Sequence, residues 1–227
     1  MNNVKELLPN HTYLYLGDTI NLPYGPRDTE DIVRIITPCL RYLLDTQLCD
    51  HVVIACNTVS VRALSLFVSN YPQYQHRVHG IDVPTIPYLK EKNLESLLVL
   101  ATQGTVNSQV YSHTALHTTE VAMPGLVEYI EQGDTEKAQQ MCTTVINQHP
   151  EVHNVLLACT HYLWLRELLQ QQYPQHNIIG QDTIISSYLS SFVVSDSNPE
   201  APQYLVTGEP QGYIQKYHLP FQKVSIS

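Results

Sequence analysis

The sequence predicts an α/β protein made of two similar parallel-sheet units with a ligand site at their interface. Three observations carry that expectation. Short apolar runs alternate with helical patterns along the chain, the signature of parallel strands joined by crossover helices. One such unit occurs twice: residues 52–58 read Val-Val-Ile-Ala-Cys-Asn-Thr and residues 155–161 read Val-Leu-Leu-Ala-Cys-Thr-His. In both, the apolar run ends at a cysteine followed by small polar residues and a helical pattern. Ligands of open α/β sheets bind at that carboxyl end of the strands.

The elements follow in order. Residues 3–8 read as the last turns of a helix, ended by Pro9 and Asn10. Residues 13–16 form a short strand, and the stretches 17–19 and 22–25 form a loop at its carboxyl end. Acidic residues at 28–31 start a helix that runs to about residue 48, with a bend at Pro38. Residues 52–55 form the first thiol strand and 59–69 its helix. Residues 80–84 cross to the second unit. Residues 96–100 are an apolar strand ending in the hydroxyl-rich loop 101–105, and a helix begins near 106–108. A short helix over 126–132 carries Glu128 and Glu131, and a longer one over 134–149 starts at Asp134 as its N-cap. Residues 155–158 form the second thiol strand, followed by a helix over 163–172 and a strand over 177–180. Residues 183–194 form a helix crossing back, 204–207 a strand and 212–217 a last helix. The expected division places residues 1–80 with 186–227 in the first unit and 81–185 in the second.

Composition bounds the function. A chain of 227 residues suits one large domain or two of about 100 residues each. The net charge of -9 gives a nucleic-acid partner no electrostatic support. No apolar run approaches the length of a membrane span, and the first ten residues lack the apolar centre of a secretory signal. The five cysteines form no CxxC pair. That count and spacing argue against a zinc site or a disulfide framework and fit reduced thiols in a cytoplasmic protein.

Chemistry is expected at two of the five. Cys39, Cys49 and Cys142 sit inside or at the end of helical patterns and read as small buried hydrophobes. Cys56 and Cys159 follow strands and precede helices, where a helix N-terminus can draw a thiol pKa down toward neutrality. Two thiols on opposite faces of one substrate suit two-base proton transfer: one removes a proton, the other delivers one, and the stereocentre inverts. A thiol–disulfide enzyme would more often place its cysteines close in sequence. Asn57, Thr58, Thr102, Thr105 and Thr160 supply donors at strand ends where a carboxylate binds well. His161, two residues from Cys159, could protonate or orient that thiol. Glu131 lies on a polar helix face, where a solvated carboxylate is the ordinary reading.

These residues resemble glutamate racemase, the cofactor-independent enzyme that interconverts L- and D-glutamate for peptidoglycan synthesis. The matching pieces are Gly17-Asp18-Thr19 with Pro23-Tyr24-Gly25, Ala55-Cys56-Asn57-Thr58, Thr102-Gln103-Gly104-Thr105, the stretch from Leu126 to Gly133, Cys159-Thr160-His161-Tyr162, and Val206-Thr207-Gly208. They keep the family's order and rough spacing from Val4 onward. The Pro-Tyr-Gly element favours the glutamate enzyme over its aspartate relatives. The resemblance implies that Cys56 and Cys159 are the acid–base thiols and that Glu131 and His161 assist beside Cys159. It implies that Pro23, Tyr24, Gly25, Asn57, Thr58, Thr102, Thr105 and Thr160 contact glutamate. It also implies two α/β domains with the site between them, no cofactor or metal, and a family in which dimers are common.

The family usually opens with a strand ending in Asp-Ser-Gly, and this chain opens inside the helix that follows it. The expected first sheet therefore lacks one strand, leaving ladder groups of its neighbours unpaired. Leu163 stands where the family has a proline, and Met123 where a cysteine is common. Two other functions fit the same residues: an impaired relative that binds a ligand or partner without turnover, or a racemase for another small acid such as aspartate.

Overall fold

The computed structural model describes residues 2–226. Helix α1 (Asn2–Leu7) leads to strand β1 (Leu14–Gly17). Helix α2 (Thr29–Arg41) begins where the Asp28 carboxylate accepts the Asp31 amide hydrogen, and Glu30 and Asp31 sit in its first turn, where the helix dipole favours negative charge. It buries Ile32, Val33, Ile35, Ile36 and Leu40 on one face. The regular helix ends at Arg41, earlier than expected, and the chain continues in one wider turn over Tyr42–Thr46. Pro38 lies three residues before that end and has no N–H to give the ladder.

Strand β2 (Val52–Ile54) delivers Cys56 to the start of α3 (Asn57–Asn70). Two elements follow that the sequence reading passes over as a crossing: β3 (Val78–Gly80) and α4 (Asp82–Glu91). Pro84 and Pro87 hide α4 from a propensity reading, yet Pro84 falls in the first turn, where a missing N–H costs little. Strand β4 (Ser96–Ala101), α5 (Gln103–Ser108) and β5 (His117–Ala122) come next. Then come α6 (Leu126–Gln132), α7 (Thr135–Gln148) and β6 (Asn154–Ala158). Asp134 caps α7 through the Lys137 amide, as expected. After β6 the chain makes a 3₁₀ turn over Thr160–Leu165, and α8 (Arg166–Gln172) starts only there, three residues later than expected. The chain closes with β7 (Asn177–Ile179), α9 (Asp182–Ser190), β8 (Gln203–Val206), α10 (Gln211–Tyr217) and β9 (Phe221–Lys223).

Every strand pairing is parallel. One sheet has the order β5-β4-β6-β7. Its two central strands are buried on both faces, which is why residues 97–101 and 155–158 read as unbroken apolar runs. Alternate side chains separate cleanly: Leu98, Leu100, Val155 and Leu157 pack toward α6, α7 and α8, while Leu97, Val99, Leu156 and Ala158 face the other way. Each of these leucines contributes roughly 1.5–3 kcal/mol by leaving water.

The remaining strands form two smaller sheets, β1-β8-β9 and β2-β3, which are not hydrogen-bonded to each other. The sequence leads to a first sheet short of one strand, and this one is in two pieces. β1 and β2 both border a single cavity, which is also walled by Ile36 and Leu40 of α2 and by Ile185 and Leu189 of α9. A separate core of α2 and α3 side chains, with Tyr24 and Tyr74, supports β2. Among the described residues, no helix is long and apolar enough to cross a membrane.

Candidate active site

The carboxyl ends of β1, β2, β4 and β6 open into one cleft of about 2660 Å³. Asp18, Cys56, Thr102 and Cys159 follow those four strands and all line it. The volume exceeds the roughly 300–1,000 Å³ usual for a small-molecule site because the cleft runs on into the space between β1 and β2.

Cys56 is the residue before α3, with extended backbone, so the first-turn amides of that helix face its sulfur. The expected lowering of its pKa does not win. Burial pushes the thiol up to about 11; the Val59 and Thr58 amides and the Thr58 hydroxyl pull the other way, and the nearby Cys159 adds to the rise. That influence of Cys159 on Cys56 fits their lining of a common cleft.

Cys159 is 7% exposed and is followed by the 3₁₀ turn, so no α-helix N-terminus meets it. A histidine takes that place: His161 Nδ1 lies 3.9 Å from the Cys159 sulfur. His161 Nε2 lies 2.9 Å from Glu131 Oε1, and Lys216 Nζ lies 2.7 Å from Glu131 Oε2. Glu131 is therefore not a solvated carboxylate but the centre of a relay running from α10 to the second thiol. Burial opposes the His161 imidazolium, yet its contacts with Cys159 and Glu131 outweigh that and lift it to about 9. The hydrogen bond from His161, helped by Lys216 and opposed by burial, holds Glu131 down at about 2.

The signs of these two shifts set a stability profile. The raised His161 pKa gives stability that is complete below the ordinary 6.5 and lost as pH climbs through about 9. The lowered Glu131 pKa gives stability that is complete above 4.5 and lost as pH falls through about 2. The two shifts share the His161–Glu131 contact, to which Cys159 adds on the alkaline side and Lys216 on the acid side, so the cluster's contribution should be flat from pH 4.5 to 6.5 and decline on either side. In His161→Asn the alkaline decline should shrink, as read from urea midpoints across pH 6.5–9. Parallel profiles for parent and variant in that window contradict the contact.

The other expected residues divide into two groups. Pro23, Tyr24 and Gly25 line the cleft, as do Asn57, Thr58, Thr102 and Thr160. The Thr58 and Thr102 hydroxyls are 2.8 Å apart, which ties the first thiol strand's helix to the loop after β4. Thr105 is fully buried and does not line the cleft; its hydroxyl lies 3.1 Å from that of Thr102 and supports it from behind. Asn57 reaches the wall of the cleft, but its side-chain amide is engaged by Gln181 and Tyr111. Cys142 is a core residue, as expected, with its thiol pushed up to about 12 by burial.

Two residues at the site, Gln181 and Lys216, escape the sequence reading, and a third, Asp18, is read there only as part of a matching stretch, without a role. Asp18 anchors the 23–25 loop: its carboxylate accepts hydrogen bonds from the Tyr24 hydroxyl, from Asn21 and, at 2.8 Å, from Thr207. Its place directly after β1 was the available signal. Gln181 and Lys216 carried none, because their partners lie 124 and 85 positions away. Among the described residues no group of three or more His, Cys, Asp or Glu is arranged to hold a metal ion.

No family model matches the chain. The glutamate racemase of Dinoroseobacter shibae is 28% identical over 246 residues, covering 95% of this chain and 88% of that protein. Among solved structures, glutamate racemase isoform RacE1 from Bacillus anthracis superposes with a TM-score of 0.83 at 20% identity, over 100% of this chain and 91% of that one. The Francisella tularensis glutamate racemase, solved in complex with D-glutamate, gives 0.81 at 21% identity, over 98% and 91%. The solved structures share the fold, and the sequence likeness runs along nearly the whole chain: this protein is similar throughout to the glutamate racemases, which are amino-acid racemases.

Proposed function

We propose that the protein interconverts L- and D-glutamate by two-base proton transfer between Cys56 and Cys159, without a cofactor. The observation that carries this reading is that both thiols, at the ends of β2 and β6, open onto one cleft. In this reading the cleft binds glutamate between them. One sulfur, as thiolate, removes the α-proton, and the other delivers a proton to the opposite face. The abstraction is difficult because an α-carbon beside a carboxylate is a very weak acid. With no electron sink, fixed donors must stabilise the charge that develops on the carboxylate. Thr58, Thr102, Thr160 and Asn57, with the loop Pro23, Tyr24 and Gly25, are the groups we assign to substrate, and Thr105 supports Thr102. Glu131 and His161 serve Cys159: Glu131 holds the imidazole with its Nδ1 edge facing the sulfur, 3.9 Å away.

D-Glutamate made this way would supply peptidoglycan synthesis in the cytoplasm. We take residues 1–80 with 186–227 and residues 81–185 as the two units that meet at the cleft, and a homodimer as the assembly. The test is formation of D-glutamate from L-glutamate by the purified chain without pyridoxal phosphate. Absence of product, or faster turnover of aspartate, overturns the substrate assignment.

One observation favours a second reading, ligand binding without turnover. The sheet beneath Cys56 is in two pieces, and the edge of β2 borders open space. Calorimetric binding of glutamate with no racemisation would select that reading.

A further inference from the structure

Lys216 lies on α10, and the groups it holds lie on α6, whose neighbours in space are the second thiol's surroundings. Its Nζ donates to Glu131 Oε2 at 2.7 Å, to the Glu131 backbone carbonyl at 3.0 Å and to the Ile130 carbonyl at 3.5 Å. Those two carbonyls belong to the last turn of α6, where a cation is favoured; the Ile130 oxygen also accepts the Gly133 amide hydrogen at 3.1 Å. One ammonium therefore closes the helix end and fixes the carboxylate that the same helix carries. The two carboxylate oxygens have separate tasks: Oε2 is taken by Lys216, and Oε1 is left for His161 at 2.9 Å. Were Oε2 free, the carboxylate could rotate about its last bond and give up the His161 contact to water. The side chains of Lys216, Glu131 and His161 are all about two-thirds buried, so their contacts are only partly screened.

We propose that Lys216 is a positioning residue that holds Glu131 against His161, so that the docking of α10 across the cleft sets the hold of His161 on Cys159. The proposal rests on the two-thiol reading given above. The charged and titratable groups facing Glu131 are His161 from the turn after β6, Lys216, Tyr217 and Tyr213 from α10, and Tyr15 from β1. Of these, Lys216 and His161 are the two cations that can hold its two oxygens. Tyr217 reaches Oε1 only at 3.5 Å.

The test uses the full chain with isotope-labelled histidine, the His161 resonance being assigned by its loss in His161→Asn. In Lys216→Met the His161 titration midpoint should fall from about 9 toward the ordinary 6.5. In Lys216→Arg, which keeps the cation, it should stay within about half a unit of the parent, against a spread of about one unit for histidines generally. Racemisation should fall about 10- to 100-fold in Lys216→Met, by analogy with the loss of outer groups that orient metal-ligating histidines, and recover in Lys216→Arg. Enantiomers are equal in energy, so kcat/KM must fall equally in both directions. Any directional imprint must appear in kcat and KM together, by the same factor, and both should differ between the L- and D-substrates more than in the parent. An unchanged midpoint in Lys216→Met overturns the proposal, and so does a loss of activity that Lys216→Arg fails to restore. The titration needs no turnover, so it fails or succeeds apart from the two-thiol reading, which the thiol replacements test on their own.

Discussion

Cys56→Ala and Cys159→Ala are each expected to lower racemisation by about 10²–10⁴-fold, the range over which a positioned acid or base acts. The two losses have a distinct signature if the thiols work from opposite faces. Each variant keeps one base, which can still remove the α-proton of the enantiomer that presents it. It lacks the group that completes inversion. Each variant should therefore exchange the α-proton of a single enantiomer with solvent, and the two variants should choose opposite enantiomers. Proton exchange followed by nuclear magnetic resonance reads this directly. Equal exchange of both enantiomers by one variant would mean that a single base reaches both faces. The structure also separates the two sulfurs by environment. Cys56 is raised to about 11 chiefly by burial, while Cys159 has His161 at 3.9 Å backed by Glu131. Polar contacts from substrate must favour the Cys56 thiolate when it acts as base, whereas Cys159 already has a cation beside it.

Gln181→Leu should cost the fold about 2–4 kcal/mol, the largest single effect on stability expected outside the apolar core. Gln181 is 2% exposed and joins three elements. Its amide donates to Asn57, to Thr85 at 3.0 Å and to the Tyr111 hydroxyl at 3.0 Å, and its oxygen accepts from Asn57 at 2.6 Å. Leucine has nearly the same size and supplies none of these. The Asn57 amide would then lose its acceptor in a buried place, where an unmet donor is costly. Asn57 directly follows Cys56, so the same change should also reduce activity by loosening the start of α3. Urea unfolding measures the first effect; a change below about 0.5 kcal/mol would show that the network is not the tie it appears from its geometry.

The sequence made the central strands of the fold legible because both of their faces are buried. Residues 97–101 and 155–158 have no polar side to confuse the pattern, and the structure puts them side by side in β4 and β6. Strand β5 was not legible, since His117-Thr118-Thr119-Glu120 is a half-exposed edge with little apolar content. Helix α4 was hidden by two prolines, and β9 by its length of three residues. The cysteines of the site were legible because they end recognisable strands. Their energetics were not: whether a helix terminus or burial governs Cys56 depends on enclosure, which has no local sequence signal. The same holds for Glu131. Its helix was placed correctly over 126–132, but the residues that turn it from a surface acid into a relay, His161 and Lys216, come from turns and helices far along the chain.

The most direct test of the two-thiol account is racemisation in deuterated water, stopped early and read at the α-carbon. With two sulfurs acting from opposite faces, newly formed D-glutamate should carry deuterium from solvent, while the remaining L-glutamate keeps its protium. Product that retains the proton of its own substrate would mean that one group both takes and returns it, and that Cys56 and Cys159 do not share the work.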